Sequence, residues 1–326
     1  MLNRCRKFGG TLLMAACLAV PTFAEAPTAS DLNAVTARPL AELWVRSSAE
    51  YRGLCHQTYN AATDRLRYLA PALERHADGK LRLPGSSKPV AVILDLDETV
   101  IDNSPFQAFA ARRGVRFSGP MWAAWVEFQA LNPSTSQSIP GAVNFLAYAK
   151  ELGITPIFVT NRATGEEGPT TKVLQNLGIC VTNIEERLLH RFPSVQEQER
   201  ALKVVAQLGL DPNSLEAQKI VRGEGTKEAR RRLVQQKYDV VAYFGDVLGD
   251  FEPYLPGNAE GTQPPYLERQ KEGDRQSSHW GRNWFLLPNP MYGPWAPGAA
   301  IPENGIEKAL DDQGFESYLR QKGLFK

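Results

Sequence analysis

Residues 90–105 read VAVILDLDETVIDNSP, and this stretch decides the fold. The five apolar residues from Val90 to Leu94 have the composition of a strand buried on both faces of a parallel sheet, and they stop abruptly at Asp95, Asp97, Glu98 and Asp102. Acids packed that densely cannot all be core. In open α/β sheets the carboxyl ends of parallel strands face the ligand crevice, so a strand ending in D-x-D delivers two carboxyl groups to the place where chemistry happens. A solvated acidic turn would account for an isolated D-x-D. D-x-D-E-T directly behind an apolar strand is far more specific and points to catalysis.

Two further apolar runs repeat the pattern. Residues 154–159 end in Thr160-Asn161-Arg162, and residues 239–244 end in Gly245-Asp246, followed by Val247-Leu248-Gly249-Asp250-Phe251. Between the first two runs, Ile139-Pro140-Gly141 opens a helix over 142–152 that Gly153 closes; a helix over 171–177 ends at Gly178 and leads into 180–184. This βα alternation predicts an α/β fold with a Rossmann-like parallel sheet. Upstream, apolar residues from Leu40 to Leu69 recur at three- and four-residue spacing, which predicts one long amphipathic helix from 39 to about 71, and 80–88 reads as a linker. The region 106–132 is helical in tendency, with Trp122, Trp125 and Phe128 on one face, where hydrophobic packing is the ordinary role. Further on, a surface helix is expected over 193–208 and a short strand over 218–221. Gly223-Glu224-Gly225-Thr226 then precede Lys227 and a strongly basic helix, and the tail from Pro253 is rich in Pro, Gly and aromatics.

The formal net charge is only +1 over 326 residues, so no global basic field points to nucleic acid. The run Arg230 to Arg232 reads as a solvated helix face. Arg4, Arg6 and Lys7, an apolar stretch over 11–20 and the small-residue site Thr22-Phe23-Ala24 form an export signal over 1–24, too short to span a bilayer that needs about 20 apolar residues. Leu13-Met14-Ala15-Ala16-Cys17 loosely resembles a lipoprotein processing site, so a lipid anchor through Cys17 stands as the alternative to cleavage after Ala24. After cleavage Cys55 and Cys180 remain. They make no disulfide framework or zinc site, and spacing leaves their pairing open.

Three strand ends reading D-x-D, T-N-R and G-D-x-x-x-D, with Lys227 at a helix start, belong at one sheet edge. That inventory suits phosphoryl transfer to an aspartate. Asp95 is the expected nucleophile, and Asp97, two residues on, the expected acid and base. Thr160 donates to the transferring group while Lys227 offsets its charge and that of Asp95. A phosphate cannot approach so many carboxylates unaided, so Mg²⁺ is expected, with Asp95, Asp97, Asp246 and Asp250 as the ligand candidates; Asp250 can instead orient Lys227. Asn161 and Arg162 are substrate-binding candidates, and Trp122, Trp125 and Tyr292 are candidates for an aromatic wall.

The motifs Asp95-Leu96-Asp97-Glu98-Thr99, Val159-Thr160-Asn161-Arg162, Lys227 and Gly245-Asp246-x-Leu248-x-Asp250 resemble those of the haloacid dehalogenase superfamily in its four-aspartate acid phosphatases. More narrowly, Leu43-Trp44 with Ser48 to Tyr51, Trp122 with Trp125, Ile139 to Ala142, and the stretch from Leu287 to Trp295 are similar to the class C lipoprotein acid phosphatases, which act as 5′-nucleotidases. The resemblance implies a Rossmann-like core over 25–326, a small helical cap inserted at roughly 104–138, an N-terminal helical extension, bound Mg²⁺ and nucleoside monophosphate substrates. Two departures stand out. Val247 occupies a place where the family usually has Asn, and the helix near 195–208 is longer than the usual connection, which keeps Lys219 open as the alternative to Lys227. The rival readings are a broad phosphomonoesterase for sugar or aryl phosphates and a non-catalytic surface protein that binds nucleotides. No Arg-His-Gly occurs, which disfavours a histidine nucleophile.

Overall fold

The structure, a computed structural model, describes residues 39–191, 198–221, 227–251, 266–295 and 321. The export signal with Cys17, the Gly223 to Thr226 run, the start of the helix expected over 193–208 and the tail beyond 295, residue 321 apart, lie outside the described residues.

The chain enters on α1 (39–47) and α2 (Ala49–Leu69). The single helix expected over 39–71 is broken at Ser48, whose extended backbone and hydroxyl, accepting the Tyr51 N–H at 3.1 Å, cap a new helix. α2 buries Tyr51, Cys55, Tyr59, Ala62 and Leu66 at three- and four-residue intervals. A hairpin of β1 (Glu74–Arg75) and β2 (Leu81–Arg82) leads to β3 (Val90–Leu94), which is buried throughout. Next, β4 (Ile101–Asp102) pairs antiparallel with β5 (Gln137–Ser138), and this ribbon carries out of the sheet α3 (Ser104–Arg113) and α4 (Gly119–Leu131). The helical stretch expected over 106–132 is therefore two helices: Gly114, at φ 63°, takes the left-handed backbone that ends α3.

α5 (Ala142–Leu152) feeds β6 (Thr155–Val159), and α6 (Glu167–Asn176) with the short α7 (Ile184–Arg187) leads to β7 (Leu188–Leu189). α8 (Gln198–Gln207) packs on α9 (Leu215–Val221). The strand expected over 218–221 is thus the end of a helix, because Ala217 and Ile220 share a helical face against Ala201 and Val205. α10 (Lys227–Lys237), β8 (Asp239–Gly245), α11 (Tyr266–Arg275) and β9 (Trp284–Leu286) complete the described core.

The central sheet runs β7-β6-β3-β8-β9 with every pairing parallel. Val90, Val92 and Leu94 of β3 pack with α2 and α5 on one face, while Ala91 and Ile93 pack with Val234 and Tyr238 from the α10 side on the other. Helices on both faces explain why the strand reads as a continuous apolar run. The register pairs Leu94 with both Phe158 and Phe244, so the chain leaves β3, β6 and β8 at one level, and Asp95, Thr160 and Asp246 emerge together. Cys55 is buried and Cys180 exposed, both as free thiols. Among the described residues no helix is long and apolar enough to cross a membrane.

Candidate active site

Lys227, in the first turn of α10, reaches Asp95 Oδ1 at 2.6 Å and Asp250 Oδ1 at 2.5 Å, and all three side chains are buried. Asp250 Oδ2 accepts the backbone N–H groups of Asp246 and Val247, each at 3.1 Å, so Asp250 fastens the strand-end turn to the lysine. The turn closes only because residue 245 is glycine: a Cβ there would overlap the Asp250 side chain. Asp246 is steadied by Asn289, whose Nδ2 donates to Oδ2 at 2.7 Å, while Asn289 Oδ1 accepts the Met291 N–H at 3.0 Å. Sequence reasoning did not single out Asn289.

Asp95, Asp246 and Asp250 offer carboxylate oxygens within 4.8 Å of one another. Burial pushes the Asp95 carboxyl up to about 7; Lys227 pulls it down, and Asp250 and Asp97 add to the rise. Asp246 is held well above the ordinary carboxylate range by burial, then by Asp250 and Asp95. For Lys227 burial would lower the pKa, but the two carboxylates outweigh it and the net shift is upward. Three buried acids against one ammonium, with two of them forced toward the protonated form, make a donor set that fits a hard divalent cation. Asp250 uses one oxygen on Lys227 and the other on two amides, which leaves Asp95 and Asp246 as the principal ligands for such an ion. Asp97 is not in the group: it lies with Arg162 and Asn103.

Thr160 is fully buried, and its Oγ1 accepts the Arg162 N–H at 3.1 Å, a bond that does not use the hydroxyl hydrogen. Asn161 is exposed, and with Oδ1 taken by Arg230 at 2.8 Å the group it offers is the NH₂ donor. Arg162, expected to bind substrate, is spent elsewhere. Its guanidinium is buried, donates to Asp97 Oδ1 at 2.8 Å and 3.1 Å and to Thr170 Oγ1 at 3.4 Å, and lies 5.8 Å from the Trp122 ring centroid.

The basic run is not a solvated face either. Arg230 and Arg231 are each 1% exposed, and Arg232 alone turns outward, to Glu216. Arg230 donates to the Thr160 carbonyl, to Leu189 O at 3.2 Å and to Asn161 Oδ1; Arg231 donates to Gly249 O and Phe251 O at 2.9 Å each. Burial lowers Arg230 to about 9 against the pull of Asp95. The missed signal was the spacing: residues three and four beyond Lys227 share its helix face.

Glu98 adopts a left-handed φ of 56°, which aims its buried carboxyl inward. Oε1 accepts the Asn103 N–H at 3.0 Å, and Oε2 accepts the Tyr292 hydroxyl. Burial, reinforced by Asp97, Asp246 and Asp102, holds Glu98 well above the ordinary range. Trp125 Nε1 donates to Asn103 Oδ1 at 2.9 Å, and Trp122 meets Phe106 edge-on at 5.3 Å between centroids. Tyr292, Trp122 and Trp125 are all half-buried.

Parallel strands that bring Asp95, Thr160 and Asp246 to one edge, with Lys227 locked onto the aspartate, define the haloacid dehalogenase architecture in its phosphomonoesterase form. Residues 24–295 match the family described as HAD superfamily, subfamily IIIB (acid phosphatase), and the chain belongs to that family. Two solved structures of the class C acid phosphatase from Bacillus anthracis are similar to it. One, with tungstate bound, is 26% identical, with a TM-score of 0.58 and 79% of this chain and 86% of that chain covered. The other is 25% identical, with a TM-score of 0.58 and 89% and 97% covered. Phosphatases of this superfamily typically use a divalent metal, in keeping with the aspartate group here.

Proposed function

We propose that the chain is an exported, Mg²⁺-dependent acid phosphatase that hydrolyses nucleoside 5′-monophosphates through an aspartyl-phosphate on Asp95. The observation that carries the reading is the buried Asp95–Lys227–Asp250 arrangement at the end of β3, which pure binding would not require. The similar structure was solved with tungstate bound, and a phosphate-like oxyanion on that relative supports a phosphate as the ligand here.

Lys227 favours the ionised Asp95, whose oxygen forms a bond to phosphorus as the ester P–O bond breaks. Asp97 gives its proton to the departing oxygen. The Asp97 carboxylate then takes a proton from water, whose oxygen bonds to phosphorus as the Asp95–phosphorus bond breaks; inorganic phosphate leaves and both acids are restored. Thr160 and the Asn161 amide supply donors to the phosphoryl oxygens. Asp95 and Asp246 would hold a divalent cation, which would supply positive charge to offset the phosphate and the carboxylates.

Nucleotide preference rests on Tyr292, Trp122 and Trp125 as a surface for a flat base. The Trp125 N–H is spent on Asn103 and the Tyr292 hydroxyl on Glu98, as packing residues would be, and this favours the second reading, a broad phosphomonoesterase. Export rests on the segment 1–24; an acylated Cys17 in place of an N-terminus at Glu25 would make the enzyme a lipoprotein. The test is phosphate release from nucleoside, sugar and aryl monophosphates, with Mg²⁺ and with chelator. Tyr292→Ala should cost nucleotides roughly ten- to hundredfold in kcat/KM and sugar phosphates far less. Equal losses would leave the broad reading, and full turnover in chelator would remove the metal.

A further inference from the structure

Asp97 is held from two sides. Its Oδ1 accepts Asn103 Nδ2 at 2.9 Å, Arg162 Nη2 at 2.8 Å and Arg162 Nε at 3.1 Å, whereas among the described residues its Oδ2 receives Arg162 Nε alone, at 3.3 Å. Asn103 is fully buried, and the Arg162 side chain is at 0% exposure beside an Asp97 side chain still 16% open. Each support is in turn covered by a tryptophan of α4. Trp125 donates its indole N–H to Asn103 Oδ1 at 2.9 Å, and Trp122 lies against the Arg162 guanidinium. The orientation of Asn103 is forced by chemistry: an indole N–H can only donate and a carboxylate can only accept, so the amide must present oxygen to Trp125 and nitrogen to Asp97.

We propose that Asn103 and Arg162 are positioning residues that aim the Asp97 carboxyl at the ester oxygen, and that Trp125 and Trp122 fasten them from the cap. Oδ1 is the anchored oxygen and Oδ2 the one that carries the proton. The cap tryptophans then act on the phosphoryl-transfer step through Asp97, whether or not they also touch the substrate. This rests on the reading of Asp97 as acid and base, and it goes beyond that reading in naming what sets the carboxyl's direction. In the step concerned, the O–H bond of Asp97 breaks as the ester oxygen gains that proton and parts from phosphorus, with Asp95 forming the new P–O bond.

Para-substituted phenyl phosphates test it, because they present the same ring to the cap and differ in how much the departing oxygen needs a proton. The quantity to measure is kcat/KM, which reports the steps up to the aspartyl-phosphate, across a series from p-nitrophenyl to p-methoxyphenyl phosphate. Trp125→Phe keeps an aromatic ring and removes the N–H; Asn103→Ala removes the link itself, and the pair guards against one variant failing to fold. Both should widen the gap between the good and the poor leaving group by roughly tenfold, a fraction of the ~10²–10⁴ that a positioned acid contributes. Asp97→Asn should widen it further. A uniform loss across the series in both folded variants, or no loss, would overturn the proposal while Asp97→Asn still shows the gap. If Asp97→Asn itself loses activity evenly, the acid role fails and the inference falls with it.

Discussion

Replacing Arg230 with lysine keeps the charge and removes the fork. Among the described residues the guanidinium meets three oxygens, the carbonyls of Thr160 and Leu189 and Asn161 Oδ1, and a buried ammonium on a shorter reach can meet one of them. Hydrogen bonds to a charged group are worth about 1.5–3 kcal/mol each, so two lost bonds amount to roughly 3–6 kcal/mol, divided between folding and the alignment of the phosphate donors. Since about 1.4 kcal/mol is tenfold in rate, the share that falls on Thr160 and Asn161 should lower kcat/KM by roughly 10²–10³. The assay is turnover of p-nitrophenyl phosphate by protein shown to be folded, with inorganic phosphate as competitive inhibitor and a thermal melt alongside. Thr160 and Asn161 should hold phosphate more weakly, so the inhibition constant should rise as kcat falls. A variant that melts several degrees lower yet keeps its kcat/KM within about threefold, with phosphate inhibition intact, would refute the reasoning and make Arg230 a structural residue only.

Two other outcomes follow from the same geometry. Gly245→Ala drives a methyl group into Asp250, so it should free Lys227, cut activity by more than about 10²-fold and weaken divalent-cation binding by calorimetry; activity within tenfold of the parent would contradict it. In metal-free protein Asp95, raised from 3.8 to about 7, retains a proton that the unfolded chain has already lost across that window. This group's contribution to stability therefore falls as pH rises from about 4 to about 7, and a bound divalent cation should reverse the trend. Melting curves in chelator and in Mg²⁺ check the sign, and parallel pH dependences in the two would refute it.

The edge that gathers Asp95, Thr160 and Asp246 was legible because it is written in strand ends. An apolar run that stops at an acid fixes both the strand and the direction in which Asp95 points, and the same holds for Thr160 and Asp246. What supports that edge was not legible. Residue type does not tell Arg230 from Arg232, and only the spacing from Lys227 does: one lies three residues on, buried under Thr160, and the other lies five on and pairs with Glu216. Arg162 was misread for a related reason. Its position beside Thr160 and Asn161 suggests a phosphate, but a side chain one residue further along turns to the next available acid, Asp97. The helix breaks at Ser48 and Gly114 were written plainly, as a capping hydroxyl and a glycine, and periodicity overran them. The segment 218–221 failed because a short apolar run fits a strand or a buried helix equally well.

The division of labour among the buried cations bears on why the site should need an ion at all. Lys227, Arg230 and Arg231 stand on one face of α10 behind Asp95, Asp246 and Asp250, close to charge balance if residues are merely counted. Arg230 and Arg231 donate to the carbonyls of Thr160, Leu189, Gly249 and Phe251 and to the Asn161 amide oxygen, fixing the two loops that flank β3. Lys227 meets two carboxylates directly, those of Asp95 and Asp250. Asp246 is held by the neutral amide of Asn289 and raised by burial, then by Asp250 and Asp95. A carboxylate so placed is stabilised either by a proton or by a metal ion, and the reaction adds a phosphate that makes the proton the poorer answer.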